Sequence, residues 1–95
     1  MSRFSIQLTR AAMRELDGLP ETARDQIIAD LRGLATAPIG RPPRIKRLRG
    51  HTGPLYRLRS GDFRVIYRVD GERVTVLSII NRRELDRALR QLGIT

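Results

Sequence analysis

The chain has 95 residues, 40% of them hydrophobic, with no cysteine and a single histidine. This predicts one domain over residues 1–95 and excludes disulfides and multi-histidine metal sites within one chain. No apolar run is long enough to cross a membrane and no signal-peptide pattern is present, so we expect a cytoplasmic protein without a membrane partner.

The charge is unevenly distributed along the chain. The net charge is +9, and five arginines cancel five acidic residues within residues 1–40. Residues 41–95 therefore hold the entire excess, almost all of it as arginine. A neutral half followed by a basic half favours a polyanionic partner, with nucleic acid first.

The first half of the chain predicts a strand and a helical hairpin. Phe4 to Leu8 alternates between apolar and polar residues, as a half-buried strand does. Thr9 can cap a helix from Arg10 to about Asp17, ended by Gly18. A second helix opens at Pro20 and runs to about Thr36. We expect these side chains to face inward: Met13 and Leu16 from the first helix, and Ala23, Ile27, Leu31 and Leu34 from the second.

The segment from Ala37 to Pro54 predicts a loop. Three prolines lie between positions 38 and 43, and glycines and a proline interrupt its other end. Ile45 and Leu48 are expected to anchor it to the core. Its basic residues would extend an electropositive surface or form a solvated connection; they are Arg44, Lys46, Arg47 and Arg49.

The stretch from Leu55 to Tyr67 predicts a β-hairpin. Gly61-Asp62 suits a two-residue type II′ turn, which pairs Ser60 with Phe63 and Arg59 with Arg64. A longer loop would shift the register and mix arginines into the apolar face. The short turn predicts two distinct faces. The apolar one has Tyr56, Leu58, Phe63, Val65 and Tyr67, and the basic one has Arg57, Arg59, Arg64 and Arg68 around Ile66.

Four arginines on one face of a hairpin repel one another. A bound anion would offset that repulsion, and the alternative is a solvated basic surface. Tyr56 and Tyr67 are expected to belong to the core.

The end of the chain predicts a strand and a last helix. Asp70-Gly71 is a second turn signal, of type I′, followed by a nearly continuous apolar strand from Val74 to Ile80. Asn81 can cap a helix with Glu84 completing the capping pattern. Its buried stripe would be Leu85, Ala88, Leu89 and Leu92. The predicted order is β-α-α-β-β-β-α, an α+β fold with a mainly antiparallel sheet.

Three motifs resemble the RelE/ParE superfamily of toxins from bacterial toxin–antitoxin systems. They read KRLRG at 46–50, YRLRSGDFRVIY at 56–67 and NRRELDRAL at 81–89. The middle motif resembles the RelE branch most closely. The last departs from the family ending H-R-x-x-x-Y-R, because Asn81 stands where histidine is common and Asp86 where tyrosine is usual.

The resemblance implies a RelE-like fold and a ribosome-dependent endoribonuclease that cleaves messenger RNA. Members of the family use a metal-free attack of the ribose 2′-hydroxyl on the adjacent phosphate, with no cofactor. Implied partners are a cognate acidic antitoxin, the ribosome and mRNA, with operator DNA reached only through the antitoxin complex.

By motif, Arg57, Arg64 and Arg82 would be phosphate clamps, with the basic residues 44–49 and Arg59 binding RNA. Arginine cannot serve as a general base near neutral pH. Asp86 is chemically able to do so, or it forms helical salt bridges with Arg82 and Arg90. The lone His51 titrates in a suitable range but lies in a glycine-bounded loop.

Two other functions remain open from the sequence. One is a ParE-like toxin that inhibits DNA gyrase without cleaving nucleic acid, which the missing tyrosine favours. The other is a catalytically degenerate toxin that acts mainly as a binding partner. The clustered arginines of the hairpin favour the nuclease.

Overall fold

A five-stranded sheet with strand order β1-β5-β4-β3-β2 organises the fold. The computed structural model describes residues 4–49 and 54–93. Along the chain the elements are β1 (Ser5–Leu8), α1 (Arg10–Asp17), α2 (Glu21–Leu34), β2 (Ile45–Leu48), β3 (Leu55–Ser60), β4 (Phe63–Asp70), β5 (Arg73–Asn81) and α3 (Leu85–Gln91). Only the β1–β5 pair is parallel. The predicted α+β class is confirmed.

The β3–β4 hairpin has the predicted register. Ser60 pairs with Phe63 and Arg59 with Arg64. Gly61 has a φ of 58°, the positive value that the first central position of a type II′ turn requires. Side chains therefore alternate as predicted, and one face of the hairpin packs into the core with α1 and α2.

The two helices cover that face, with one difference from the predicted pattern. The side chain of Thr9 accepts a hydrogen bond from the backbone N–H of Ala12, which confirms the predicted cap. Leu16 is buried, but the prediction for Met13 is wrong: it is 47% exposed, and Ala12 takes the inward position. Ala12 and Leu16 are four residues apart, so they share one helix face, while Met13 lies beside it.

α2 buries its predicted apolar side chains but ends two residues early. Ile27, Leu31 and Leu34 are buried, while Ala23 is only partly covered. The helix ends at Leu34 rather than near Thr36.

Glu15 completes the edge of β5. β1 covers β5 only as far as Val76, and the chain then turns into α1. Beyond that point the Glu15 carboxylate accepts hydrogen bonds from the Ile79 N–H at 3.1 Å and the Ser78 hydroxyl at 3.3 Å. The carboxylate thus satisfies a backbone donor that a neighbouring strand would otherwise have paired.

The prediction of a loop from Ala37 to Pro54 is wrong at Ile45–Leu48, which forms β2. This strand pairs antiparallel with β3, placing Ile45 opposite Leu58 and Lys46 opposite Arg57. Ile45 is 2% exposed, which confirms its anchoring role, and Leu48 is half-buried. The last of the prolines precedes β2 by two residues, so the strand N–H groups are available for pairing.

The segment before β2 is fastened to the sheet by a buried tyrosine. The hydroxyl of Tyr67 donates to the carbonyl of Pro38 at 2.6 Å, and its ring stacks on Tyr56 with 5.5 Å between centroids. Both rings lie in the core, as predicted. Burial raises the pKa of the Tyr67 phenol well above its ordinary value, so the donor stays protonated.

Two details of the C-terminal third differ from the predictions. The second turn has Gly71-Glu72 at its centre, because Asp70 still belongs to β4 and pairs with Arg73. Gly71 alone takes the positive φ, whereas a type I′ turn at Asp70-Gly71 would have required it of both residues.

The last helix is less buried than predicted. Asn81 accepts a hydrogen bond from the N–H of Arg83, which confirms the cap, but the first turn is a 3-10 turn over Arg82–Glu84. Glu84 forms an ion pair with Arg87 at 3.4 Å. The predicted stripe is only half-buried, and Leu92 is 42% exposed. None of the described helices has the length and apolar character needed to cross a membrane.

Tyr67→Phe tests the fastening of the segment before β2. The substitution leaves the buried Pro38 carbonyl without its partner, so we expect the free energy of unfolding to fall by about 1–2 kcal/mol. Tyr56→Phe removes the same atom from the stacked ring and should change it by less than about 0.5 kcal/mol. Urea denaturation of the two variants measures both values, and equal losses would contradict the role given to this hydrogen bond.

Candidate functional site

The basic face of the sheet lies opposite α1 and α2. We call Arg57, Arg59, Arg64 and Arg68 of the β3–β4 hairpin the arginine face. Lys46 lies opposite Arg57 in the β2–β3 register, so it extends this face by one strand. Ile66, on the same side of β4 as Arg64 and Arg68, is fully buried.

Arg64 is the most buried member of the arginine face. Its side chain is mostly covered, with 8% of the residue exposed, and its Nη1 donates to the carbonyls of Gly61 at 3.0 Å and Phe63 at 2.8 Å. Burial lowers the pKa of the Arg64 guanidinium, the charges of Arg59 and Arg82 lower it further, and Asp62 opposes the shift. The charge is thus held by neutral carbonyls and is only partly offset by a carboxylate.

Arg57 is held in a similar way. Its Nη2 donates to the carbonyl of Pro43 at 2.7 Å. Burial lowers the pKa of the Arg57 guanidinium, followed by the charges of Arg64 and Arg59. The Nε atoms of Arg57 and Arg68 are buried without a hydrogen-bond partner among the described residues. Leaving these buried donors unpaired costs stability.

Arg82 reaches the arginine face through the β3–β4 turn. Its backbone N–H donates to the carbonyl of Asp62 at 2.9 Å, and its Nε lies 3.9 Å from the Asp62 carboxylate. The 3-10 turn over Arg82–Glu84 is therefore fixed at its start to the β3–β4 hairpin. The structure brings the three predicted phosphate clamps near one another in two pairs: the charge of Arg64 lowers the pKa of Arg57, and the charge of Arg82 lowers the pKa of Arg64.

Asp86 and His51 differ from these arginines. Asp86 is exposed on α3. Within residues 4–49 and 54–93, the predicted ion pairs of Asp86 with Arg82 and Arg90 are not formed, and Arg82 pairs with Asp62 instead. His51 lies outside the described residues.

The predicted RNA-binding residues do not all share one surface. Arg59 and Lys46 lie on the arginine face, whereas the register points Arg47 to the opposite side, with Tyr56. Arg49 is exposed beyond the end of β2. The guanidinium of Arg44 lies on the helix side, where its Nη2 would be 3.7 Å from a β-carbon placed on Gly33.

Asp62 has a role that its sequence does not indicate. The sequence predicts it only as half of a turn, yet its carbonyl and carboxylate both contact Arg82. No local pattern connects positions 62 and 82, because the contact depends on how β5 lies beside β4. Three-residue clusters of metal-ligating side chains do not occur in the described parts of the chain.

The chemistry available at this site is anion binding and charge stabilisation. Guanidinium groups hold phosphates in bidentate fashion and stabilise the negative charge that builds up when a phosphate is attacked. They cannot accept a proton near neutral pH.

The family comparison covers most of the chain. The family model described as ParE toxin of type II toxin–antitoxin system, parDE, matches residues 6–86. No curated protein matches the sequence.

Solved structures of toxins have the same fold. The RelE–RelB complex from Pyrococcus horikoshii OT3 matches with a TM-score of 0.74 and 25% identity, over 84% of this chain and 96% of that one. A mutant RelE from E. coli in the free state matches with a TM-score of 0.64 and 20% identity, over 98% and 95%. The chromosomal ParDE system from P. aeruginosa gives a TM-score of 0.57 and 24% identity, over 83% and 96%.

The family match spans β1 to the start of α3, and the structural matches confirm the superfamily that the three sequence motifs resemble. The chain belongs to the ParE toxin family within the RelE/ParE superfamily, and it is a toxin of a type II toxin–antitoxin system.

Proposed function

We propose that this toxin is a ribosome-dependent endoribonuclease that cleaves messenger RNA. The observation that carries the proposal is the uncompensated charge of the arginine face. Burial lowers the pKa of both Arg57 and Arg64, and neighbouring arginines lower it further: Arg64 and Arg59 at Arg57, and Arg59 and Arg82 at Arg64. Among the described residues, the Asp62 carboxylate opposes this shift at Arg64. A phosphodiester placed there would relieve the repulsion.

Arg64 and Arg82 are the residues proposed to hold the scissile phosphate, with Arg57 as a third clamp. Attack by the ribose 2′-hydroxyl places extra negative charge on the phosphate oxygens in the transition state. Guanidiniums fixed in advance by protein contacts stabilise that charge without reorganising at the moment of reaction. Arg64 is fixed by the turn carbonyls, and the backbone of Arg82 is fixed by its hydrogen bond to the Asp62 carbonyl, which supports this assignment.

The proton transfers need a different group. The 2′-hydroxyl must lose a proton and the 5′-oxygen must gain one, and arginine can do neither near neutral pH. Asp86 is the candidate that the terminal motif provides. Its carboxylate is exposed and, in the part of the chain that the structure describes, no cation lies within ion-pair distance to hold it.

A second candidate function, which the family match also supports, is the inhibition of DNA gyrase by a ParE-like toxin. Purified toxin added to translating ribosomes, with the 5′ ends of the message mapped, separates the two. The nuclease produces new ends on ribosome-bound message. If no new ends form and the toxin instead abolishes supercoiling by gyrase, the second candidate replaces this proposal. Inactivity in both assays would indicate a toxin that acts only by binding.

An antitoxin is the partner that the solved relatives support, because several of them are toxin–antitoxin complexes. We propose that it is acidic and covers part of the surface formed by residues 41–95, which hold the whole net charge of +9. The ribosome and its message are the proposed targets of the free toxin. Operator DNA would be contacted only by the complex.

Arg82→Ala tests the phosphate clamp. Losing one fixed charge from the transition state should lower the cleavage rate on ribosomes about 100-fold while ribosome binding changes little. Asp62→Asn is the matched control: it removes the same exposed ion pair but leaves Arg82 in place, so its rate should stay within about threefold of the wild-type rate. Equal losses in the two variants would mean that Arg82 acts only through Asp62.

Asp86→Asn tests the general base. A carboxylate that nothing holds in position contributes little to proton transfer, so we expect the cleavage rate to fall by less than about tenfold. The measurement is single-turnover cleavage of ribosome-bound message across a pH series. A loss above about 100-fold, with the acidic limb of the profile removed, would establish Asp86 as the base.

Salt dependence tests whether the arginine face contacts RNA phosphates. Arg59 is exposed, so Arg59→Ala should reduce the slope of log affinity against log salt concentration by about one unit. Arg10→Ala removes the same charge from α1 and should leave the slope unchanged. Ribosome binding measured at several salt concentrations gives both slopes, and identical slopes in all three proteins would exclude Arg59 from the RNA surface.

A further inference from the structure

Two adjoining grooves lie between α2 and the β3–β4 turn, on the helix side of the sheet and across the turn from the arginine face. Their volumes are about 360 Å³ and about 390 Å³. Both are lined by Gln26, Ser60 and Gly61, so they form one continuous surface depression. The depression adjoins the proposed active site because Arg59 lines it and because its wall includes the turn that holds Arg64 and Arg82.

Ser60 gives this groove an unused polar group. The residue is 3% exposed, and its Oγ is buried with no hydrogen-bond partner among the residues that the structure describes. A buried hydroxyl in this state is costly unless a ligand completes it. Because a hydroxyl both donates and accepts, it can contact either kind of polar atom on a ligand.

The two ends of the groove differ in chemistry. One end has charged and amide groups: Arg44 and Arg59, and the Asp30 carboxylate that accepts a hydrogen bond from Gln26 Nε2 at 3.2 Å. The other end has apolar walls from Ala23 and Phe63. A ligand that fits both ends has a flat apolar face, polar edges with N–H donors, and an anionic group on one side.

We infer that this groove binds the base of an RNA nucleotide next to the cleaved bond and reads its identity. The base would lie against Phe63 and Ala23, with Ser60 and the Gln26–Asp30 pair at its polar edge. The adjoining phosphate would contact Arg59. Single-stranded RNA is read in this way, by stacking on side chains and by hydrogen bonds to exposed base edges. The inference rests on the proposed nuclease function and adds the origin of its sequence preference.

A nucleobase suits the groove better than an acidic protein segment does. The carboxylates of Asp30 and Asp62 offset the charges of Arg44 and Arg59 along the lining, which weakens its attraction for a segment of several carboxylates, whereas the amino groups of bases can donate to Asp30. The position across the turn from the arginine face also favours RNA, since a strand whose phosphates follow that face reaches the groove at the Gly61-Asp62 turn.

The test uses four tetranucleotide probes, rA4, rC4, rG4 and rU4, bound to the isolated full-length protein at low salt. We expect their affinities to differ by about fivefold or more in the wild type. Ala23→Phe fills the apolar end, and Ser60→Ala removes the hydroxyl. Each should reduce the spread to within about twofold, while phosphate contacts on the arginine face preserve the mean affinity.

Ala29→Phe is the matched control, since it adds the same ring at an exposed position of the same helix that lines neither groove. It should keep the wild-type spread. Circular dichroism and urea unfolding confirm that each variant is folded, and Ser60→Ala remains as the test if Ala23→Phe does not fold.

The experiment is independent of cleavage, because the probes need no ribosome. Probes that all bind within about twofold in the wild type would overturn the inference, and so would a spread that survives both groove substitutions. Displacement of rA4 by the peptide Glu-Leu-Glu-Glu from the wild type, but not from Ala23→Phe, would assign the groove to an acidic protein segment and overturn it as well. Failure of the ribosome assay alongside the expected spread would reject the proposed nuclease function while leaving a base-reading groove.

Discussion

The pairing of Arg59 with Arg64 across the β3–β4 hairpin is the constraint on which the site depends. Side chains alternate along a strand, so a slip of β4 by one residue would move Arg64 and Arg68 to the helix side and the core residues of β4 to the opposite face. The two-residue turn at Gly61-Asp62 fixes the register, and the same turn supplies the carbonyls that hold Arg64 and the contacts that hold Arg82. One local structure thus aligns the sheet and assembles the cations.

The way in which the arginines are held explains how their charge stays available. A carboxylate partner would position a guanidinium but would also neutralise it. Here Arg64 donates to two turn carbonyls and Arg57 to the carbonyl of Pro43, so both are positioned by neutral acceptors. The lowered pKa of each guanidinium reflects the cost, since burial and like charges both disfavour the protonated form. The energy stored in that arrangement favours an anion as ligand.

Local features of the fold could be predicted from the sequence, and contacts between distant segments could not. The hairpin register follows from alternation plus one glycine, and the α1 cap from a threonine before a helical pattern. β2 could not be predicted, because the four residues after the proline-rich stretch are too few to show the alternation of a strand. They form a strand only because they pair with β3. In the candidate site, the basic face was predictable because it follows from the same alternation of side chains along the two hairpin strands. The link between Asp62 and Arg82 and the position of Arg44 against α2 depend on packing that no local pattern encodes.

The carboxylate of Glu15 has a consequence for self-association. An uncovered strand edge is a template on which another chain can pair, and repeated pairing of this kind leads to aggregates. Beyond Val76, β5 would present such an edge, but Glu15 occupies the N–H of Ile79 from the side that an incoming strand would need. A helix side chain therefore pairs the β5 N–H group that a sixth strand would otherwise pair, and it adds no new strand edge. The end of β5 is in this way blocked against pairing with a strand of a second molecule.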